Sequence, residues 1–287
     1  MAAKAPSAPT LTLLDLRHIV GYVKSRQTPD GGYFFARVPP SGAQDTYHAI
    51  KCLRLLGRKP ARVAAVKRWL TAAADSGIAH NLRGLYFLSE AYSQLQMSTD
   101  PLLRGVDSVW ALQNSYGGFG MAGRVYVEVP SELEATYCAT ATFQNLGVPV
   151  DGRRVVAFVE RFRNADGGFG GEGRSILSST YYALATLVRL GHSAEHAQET
   201  LLWLREREEC WGVQYLEDLF WLVQALEALG EGVRYREKAA AFTLRCQRPS
   251  GGFGRAHWGI ATLEDTHHAV TILKSVGYLG DGAMRPR

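Results

Sequence analysis

One short element recurs along this chain and limits what it can fold into. A Gly-Gly pair followed by an aromatic residue stands at Gly31-Gly32-Tyr33, Gly117-Gly118-Phe119, Gly167-Gly168-Phe169 and Gly251-Gly252-Phe253. The pairs are 86, 50 and 84 residues apart, which implies a unit of about 43–50 residues with two units lacking the pair. A second signal follows each pair: QDTYHAIKCLRLLG (44–57), EATYCATATFQNLG (134–147), SSTYYALATLVRLG (178–191) and EDTHHAVTILKSVG (264–277). Each has Thr, an aromatic residue or His, small and apolar residues, and a final Gly. EDLFWLVQALEALG (217–230) fits the same frame with Leu219 in the Thr position, and HNLRGLYFLSEAYSQL (80–95) is a looser sixth copy.

These segments read as buried helices, because their apolar residues recur at steps of three and four and often all round. Acids or Ser near the start accept from free backbone N–H groups, and Gly at the end suits a left-handed cap. More charged, amphipathic segments lie between them, such as PARVAAVKRWLTAAA, DGRRVVAFVERFRNA and AEHAQETLLWLRERE. Alternating exposed and buried helices predict an all-α (α/α)6 toroid: about twelve helices in a double ring, six apolar ones inside and six amphipathic ones outside. The competing arrangement is an open helical solenoid, whose buried helices would be less uniformly apolar. The expected organisation is a loose tail over residues 1–10 and a single toroid domain of about six helix pairs over 11–287.

Composition narrows the function classes. A net charge of +5, with Lys and Arg scattered among acids, gives no basic stripe for nucleic acid. Apolar stretches are short and interrupted, so no transmembrane helix is expected. Four separated cysteines without a Cys-x-x-Cys pair suit free thiols in a cytoplasmic protein.

The pairing of a Gly-Gly-Phe-Gly turn with an inner helix resembles the α/α toroid shared by protein prenyltransferase β subunits and class II terpene cyclases. Phe242…Gln247…Gly251-Gly252-Phe253 is similar to the Gln-Trp motif of squalene cyclases with Phe in place of Trp, and Tyr22…Gln27…Gly31-Gly32-Tyr33 has the same spacing. Tyr137-Cys138-Ala139 and Phe220-Trp221 resemble inner-helix stretches of prenyltransferase β subunits. The likeness spans residues 11–280. It is specific for the fold and weaker for the reaction.

The prenyltransferase likeness implies a Zn²⁺ held by Asp, Cys and His that activates a substrate thiol, with Arg, Lys and His around a prenyl diphosphate. Matching Phe220-Trp221 puts Tyr215 and Glu217 where Asp-x-Cys should stand, and Asp265 where His should stand. A shifted register gives Asp218, Phe220 and His268, again without the Cys. The segment ECWGVQYLED holds no Lys or Arg, and the arginine expected before Tyr137-Cys138-Ala139 is Glu134. A metal of another kind, Zn²⁺ or Mg²⁺, would draw on Glu217 and Asp218 with His267 or His268.

The cyclase likeness implies a neutral carboxyl that protonates an alkene or epoxide, with aromatic faces stabilising the cations that follow. Thr262-Leu263-Glu264-Asp265-Thr266 resembles the Asp-x-Asp-Asp-Thr motif, with Thr for the first Asp and Glu for the proton donor. Glu264 and Asp265 are therefore the candidate catalytic acids. Tyr47, His48, Glu134, Tyr137, Tyr181, Phe220, Trp221, His267 and His268 are the candidate substrate contacts. Class II cyclases usually carry a second helical domain, for which this chain has no room.

In a toroid the inner helices are parallel, so their starts meet at one mouth. Asp45, Glu132, Glu134, Glu217, Asp218, Glu264 and Asp265 would ring that mouth and disfavour a free diphosphate unless Mg²⁺ bridges it. The leading expectation is an isoprenoid-processing, terpene-cyclase-like enzyme that takes a lipid-like small molecule and requires no cofactor. The alternatives are a prenyltransferase-like β subunit with a helical protein partner, and a non-catalytic toroid that binds lipid or protein.

Overall fold

The computed structural model of the chain describes residues 13–120, 129–192 and 197–279. The tail expected over residues 1–10 lies outside them. Twelve α-helices alternate along the described residues. The outer ones are α1 (Leu13–Ser25), α3 (Val63–Ala74), α5 (Val106–Trp110), α7 (Gly152–Glu160), α9 (Ala197–Glu209) and α11 (Arg236–Arg245). The inner ones are α2 (Ala43–Leu55), α4 (Leu82–Gln94), α6 (Val129–Leu146), α8 (Leu177–Arg189), α10 (Leu216–Ala228) and α12 (Leu263–Ser275). Two 3-10 turns, Gly77–His80 and Asp100–Gly105, flank the inner helix α4, and one small antiparallel ribbon pairs Phe253–Gly254 with Ala261–Thr262.

Each inner helix packs on the next, from α2 through α4, α6, α8 and α10 to α12, and α12 packs back on α2. That last contact makes the assembly a closed toroid. An open solenoid would leave α2 and α12 apart.

The repeated sequence signals act as one joint. In the four copies that carry it, the inner-helix threonine is fully buried and accepts a hydrogen bond from the backbone N–H of the turn aromatic. Tyr33 N–Thr46 Oγ1, Phe119 N–Thr136 Oγ1, Phe169 N–Thr180 Oγ1 and Phe253 N–Thr266 Oγ1 all measure 3.0 Å. The aromatic rings they anchor are also fully buried. Gln27, Gln113 and Gln247 each donate Nε2 to the carbonyl of the first glycine of their own turn, at 3.0, 3.3 and 3.3 Å. In the third copy Arg163 takes that place, reaching Thr200 Oγ1 at 2.9 Å with its guanidinium 4.5 Å over the Phe169 ring.

The first glycine of each pair has φ between +88° and +106° and presses on the next outer helix. A Cβ at Gly31 would lie 2.4 Å from Ala65 O on α3, and one at Gly117 2.7 Å from Arg154 O on α7. Gly251 makes the corresponding approach to His18 O on α1, at 2.4 Å. So the last turn in the sequence docks on the first helix, and the outer layer closes where the inner one does.

One buried charge cluster ties α9 to the loop before α11. Glu208, with no exposed surface, accepts from Arg205 Nη1 at 2.7 Å and from the backbone N–H groups of Arg234 and Tyr235 at 2.6 and 3.1 Å.

Candidate active site

The inner helices start in the same register, so equivalent residues fall into layers across the ring. Each threonine, or the leucine that replaces it at Leu85 and Leu219, turns outward to the joint. The next residue is rotated by about 100° and faces the axis. Those next residues are Tyr47, Tyr86, Tyr137, Tyr181, Phe220 and His267, one from each inner helix. They form a closed aromatic belt. Successive ring centroids lie 6.3, 5.9, 5.9, 5.9, 6.0 and 6.0 Å apart, with His267 returning to Tyr47. The belt lines an axial cavity of about 630 Å³ to which all six inner helices contribute. That volume falls within the ~300–1,000 Å³ common for small-molecule sites.

Two residues before each threonine position is the layer at the helix starts. Four of its members line the cavity: Arg83, Glu134, Glu217 and Glu264. Arg83 pairs with Glu134 at 2.7 Å, and Arg255 pairs with Glu217. Among the described residues Glu264 has no such cation. It accepts from Gln44 Nε2 at 3.0 Å, and its Oε1 stands 3.6 Å from His48 Nε2. Partial burial, reinforced by the charges of Asp265 and Glu217, pushes the Glu264 carboxyl up to about 7. Glu264 thus carries a proton in a large fraction of molecules at neutral pH, which a solvated carboxylate does not.

Beside it lie three buried histidines. His48 Nδ1 and His267 Nδ1 share a hydrogen bond at 3.1 Å, and His268 stacks on Phe220 with centroids 4.0 Å apart. Burial holds all three imidazoles below the usual histidine range, His268 down to about 3. They are neutral at pH 7, so the contact between His48 and Glu264 is a polar one and not an ion pair. On the other side of the belt the cavity meets Lys51, Glu90, Arg189, Gln224 and Thr271. Arg189 donates to Gln144 Oε1 at 2.9 Å and lies 3.9 Å from Glu90 Oε1. Burial lowers the Lys51 ammonium and holds the Tyr47, Tyr86 and Tyr181 phenols well above 10.

Of the residues expected from the sequence, Tyr47, His48, Glu134, Tyr137, Tyr181, Glu217, Phe220, Trp221, Glu264, His267 and His268 line the cavity. Asp218 and Asp265 do not. Asp265 Oδ2 accepts from Thr262 Oγ1 at 2.7 Å, while Asp218 Oδ2 accepts from the backbone N–H groups of Gln214 and Tyr215 at 3.0 and 2.8 Å. Asp45 likewise accepts from Phe35 N at 3.2 Å. All three sit directly before the threonine position and point to their own loops. The mouth of seven carboxylates is therefore corrected to three that line the cavity, Glu134, Glu217 and Glu264. Arg83 shows in the looser copy at 80–95 only when Leu85 is set in the threonine position. That alignment also yields Tyr86 as the sixth member of the belt.

A zinc ion of the prenyltransferase kind does not fit these residues. Phe220 holds the position that needs a thiolate and stacks on His268, Asp218 caps its own helix, and Glu217 is paired with Arg255. Among the described residues no group of three His, Cys, Asp or Glu side chains could hold a metal ion. The four cysteines are free, with Cys52, Cys138 and Cys246 buried.

The family described as the prenyltransferase alpha-alpha toroid domain matches residues 5–84, 78–214 and 212–285. The chain belongs to this family. Similar solved structures include the toroid of Candida albicans protein geranylgeranyltransferase-I complexed with GGPP, at 15% identity and a TM-score of 0.69, covering 94% of this chain and 92% of that one. Another is the type II terpene cyclase MstE from Scytonema, at 11% identity and a TM-score of 0.62, covering 95% of this chain and 99% of the cyclase. A protein from Actinoplanes aligns at 17% identity with a TM-score of 0.57, covering 93% of this chain and 98% of that one. At such identities the likeness is one of toroid fold. Among curated proteins none is significantly similar in sequence. The expectation that this chain is too short for a class II cyclase is corrected here, because it covers 99% of the MstE chain. Among the described residues no helix is long and apolar enough to cross a membrane.

Proposed function

We propose that this toroid processes an isoprenoid by protonation-initiated cyclisation, with Glu264 as the proton donor. The observation that carries the reading is the position of Glu264: a carboxyl raised to about 7 at the edge of a cavity whose waist is six aromatic rings. A carboxylate with its ordinary pKa would hold almost no proton to give at neutral pH. Glu264 transfers its proton to the terminal alkene, whose π pair forms the new C–H bond and leaves a tertiary cation. The faces of Tyr47, Tyr86, Tyr137, Tyr181 and Phe220 stabilise that charge as the next alkene attacks. The last cation loses a proton, so substrate and product are isomers and no oxidant or cofactor is consumed.

The aromatic belt suits the hydrocarbon, and the two arginines nearest that mouth, Arg83 and Arg255, are already paired with Glu134 and Glu217 and so are not free for a diphosphate. The geranylgeranyltransferase bound to GGPP and an MstE variant bound to geranylgeranyl dihydroxybenzoate show that proteins of this fold take prenyl ligands. The prenyltransferase alternative would require a helical partner, for which exposed Trp258 and Ile260 on the loop before α12 offer an apolar surface.

The test is incubation with squalene and with farnesyl and geranylgeranyl diphosphate in D₂O, followed by mass spectrometry of protein and products. The expected result is a cyclic product that carries one deuterium per turnover, abolished in Glu264→Gln. Prenyl transfer to a thiol with stoichiometric zinc would overturn the reading. So would a bound isoprenoid that Glu264→Gln leaves fully convertible.

A further inference from the structure

Glu264 does not stand alone. His48 is buried, and its two ring nitrogens face different neighbours. Nδ1 lies 3.1 Å from His267 Nδ1, while Nε2 has no hydrogen-bond partner among the described residues and faces Glu264 Oε1 at 3.6 Å. A bond between two Nδ1 atoms requires one to carry the hydrogen and the other a lone pair. The state of one imidazole therefore dictates the state of the other.

The geometry points to a proton relay in which His48 and His267 connect Glu264 to the cavity at the level of the aromatic belt. With Glu264 protonated, its O–H faces a bare His48 Nε2, His48 Nδ1–H donates to a bare His267 Nδ1, and His267 carries its hydrogen on Nε2. With Glu264 ionised, His48 Nε2–H faces the carboxylate, His48 Nδ1 accepts from His267 Nδ1–H, and His267 Nε2 is bare. The two states differ by one proton, gained or lost at His267 Nε2, and both imidazoles are neutral in each. This inference rests on Glu264 as the source of the proton. It adds the path: His267 Nε2 gives its hydrogen to the alkene while the Glu264 O–H and His48 Nδ1–H protons each shift one place along the relay. That leaves Glu264 ionised and His267 Nε2 bare. The bare nitrogen then takes the proton released by the final cation, and the relay runs back to Glu264.

The surroundings keep the relay neutral. Lys51 from α2 and His268 from α12 are the cationic and titratable groups that bear on the histidine pair. Asp45 from α2, Arg83 from α4, Glu217 from α10 and Asp265 from α12 bear on Glu264. Burial, with the Lys51 ammonium beside the pair, disfavours an imidazolium, and burial with the three acids outweighs Arg83 and favours a protonated Glu264.

Nitrogen-15 spectra of histidine-labelled wild-type protein between pH 5 and 9 test this without any variant. The expected result is that His48 and His267 exchange tautomers together, with one midpoint near 7 and no imidazolium signal. In folded Glu264→Gln the exchange is lost. Tautomers fixed across the range, an imidazolium at either ring near pH 7, or an exchange that survives in Glu264→Gln would each overturn the relay. A protein that shows the exchange but cyclises no isoprenoid keeps the relay and loses the proposed reaction. One that cyclises without the exchange keeps the reaction and loses the relay.

Discussion

Replacing Thr180 by Val should show what the repeated joint is worth. The two side chains have nearly the same shape and helix propensity, so the substitution removes a hydroxyl and little else. Thr180 Oγ1 makes two hydrogen bonds, accepting from Phe169 N at 3.0 Å and donating to Ile176 O at 2.9 Å. The Ile176 carbonyl keeps its helical partner, because Thr180 N also donates to it at 3.0 Å. The Phe169 N–H keeps none, and Phe169 is fully buried. An orphaned buried N–H costs roughly 1–3 kcal/mol, and the added methyl recovers at most about 0.8 kcal/mol. A net loss of about 1–2 kcal/mol corresponds to a fall in Tm of roughly 2–5 °C for a chain of this size. With m near 3 kcal/mol/M, the urea midpoint should drop by roughly 0.3–0.7 M at unchanged m. Thr271→Val on α12 is the control, because the buried Thr271 Oγ1 has no partner to lose among the described residues. It should leave the midpoint unchanged or raise it. A Thr180→Val midpoint within error of wild type, or a Thr271→Val loss of equal size, would refute the assignment of the joint's strength to this hydroxyl.

Three more outcomes are expected. Gly117→Ala puts a Cβ at φ +100° and 2.7 Å from Arg154 O, which should cost about 2–5 kcal/mol in urea unfolding, while Gly120→Ala, whose Cβ meets no atom of the described residues within 4 Å, should cost far less. Glu208→Ala leaves the Arg234 and Tyr235 N–H groups without their buried acceptor, while Arg205 keeps Glu231 and the Gly232 carbonyl, for a loss of about 2–4 kcal/mol read by thermal and urea melts. Because Glu264 titrates higher folded than unfolded, the folded state holds the extra proton between about pH 4.5 and 7. Its stabilising contribution is present at low pH and fades as pH rises through 7. The carboxyl is half exposed, so the loss should stay below ~2 kcal/mol, and Glu264→Gln should abolish it in urea midpoints compared at pH 5 and 8.

The fold was legible because its joint is written in two fixed places, a Gly-Gly-aromatic turn and a helix threonine. The site was half legible for a reason of helical phase. Proximity to a helix start put Asp265 and Glu264 in one group, yet adjacent helix residues point about 100° apart, so one caps its own loop while the other reaches the axis. Counting back two from each threonine separates Glu134, Glu217 and Glu264 from Asp45, Asp218 and Asp265. Nothing in the sequence pairs Arg255 with Glu217 or brings His48 to His267, because those contacts join elements far apart along the chain.

The docking of Gly251 on His18 has a consequence for how this protein fails. In a linear array the end units are specialised caps with polar outer faces, whereas in a ring every unit has two neighbours and no such caps exist. If the seam between α12 and α2 opens, both raw faces are apolar and complementary, and a second opened copy presents the same two faces. Partial unfolding at the seam therefore leads toward reciprocal exchange between chains, two rings sharing their halves or a longer string of them, before it leads to a disordered monomer.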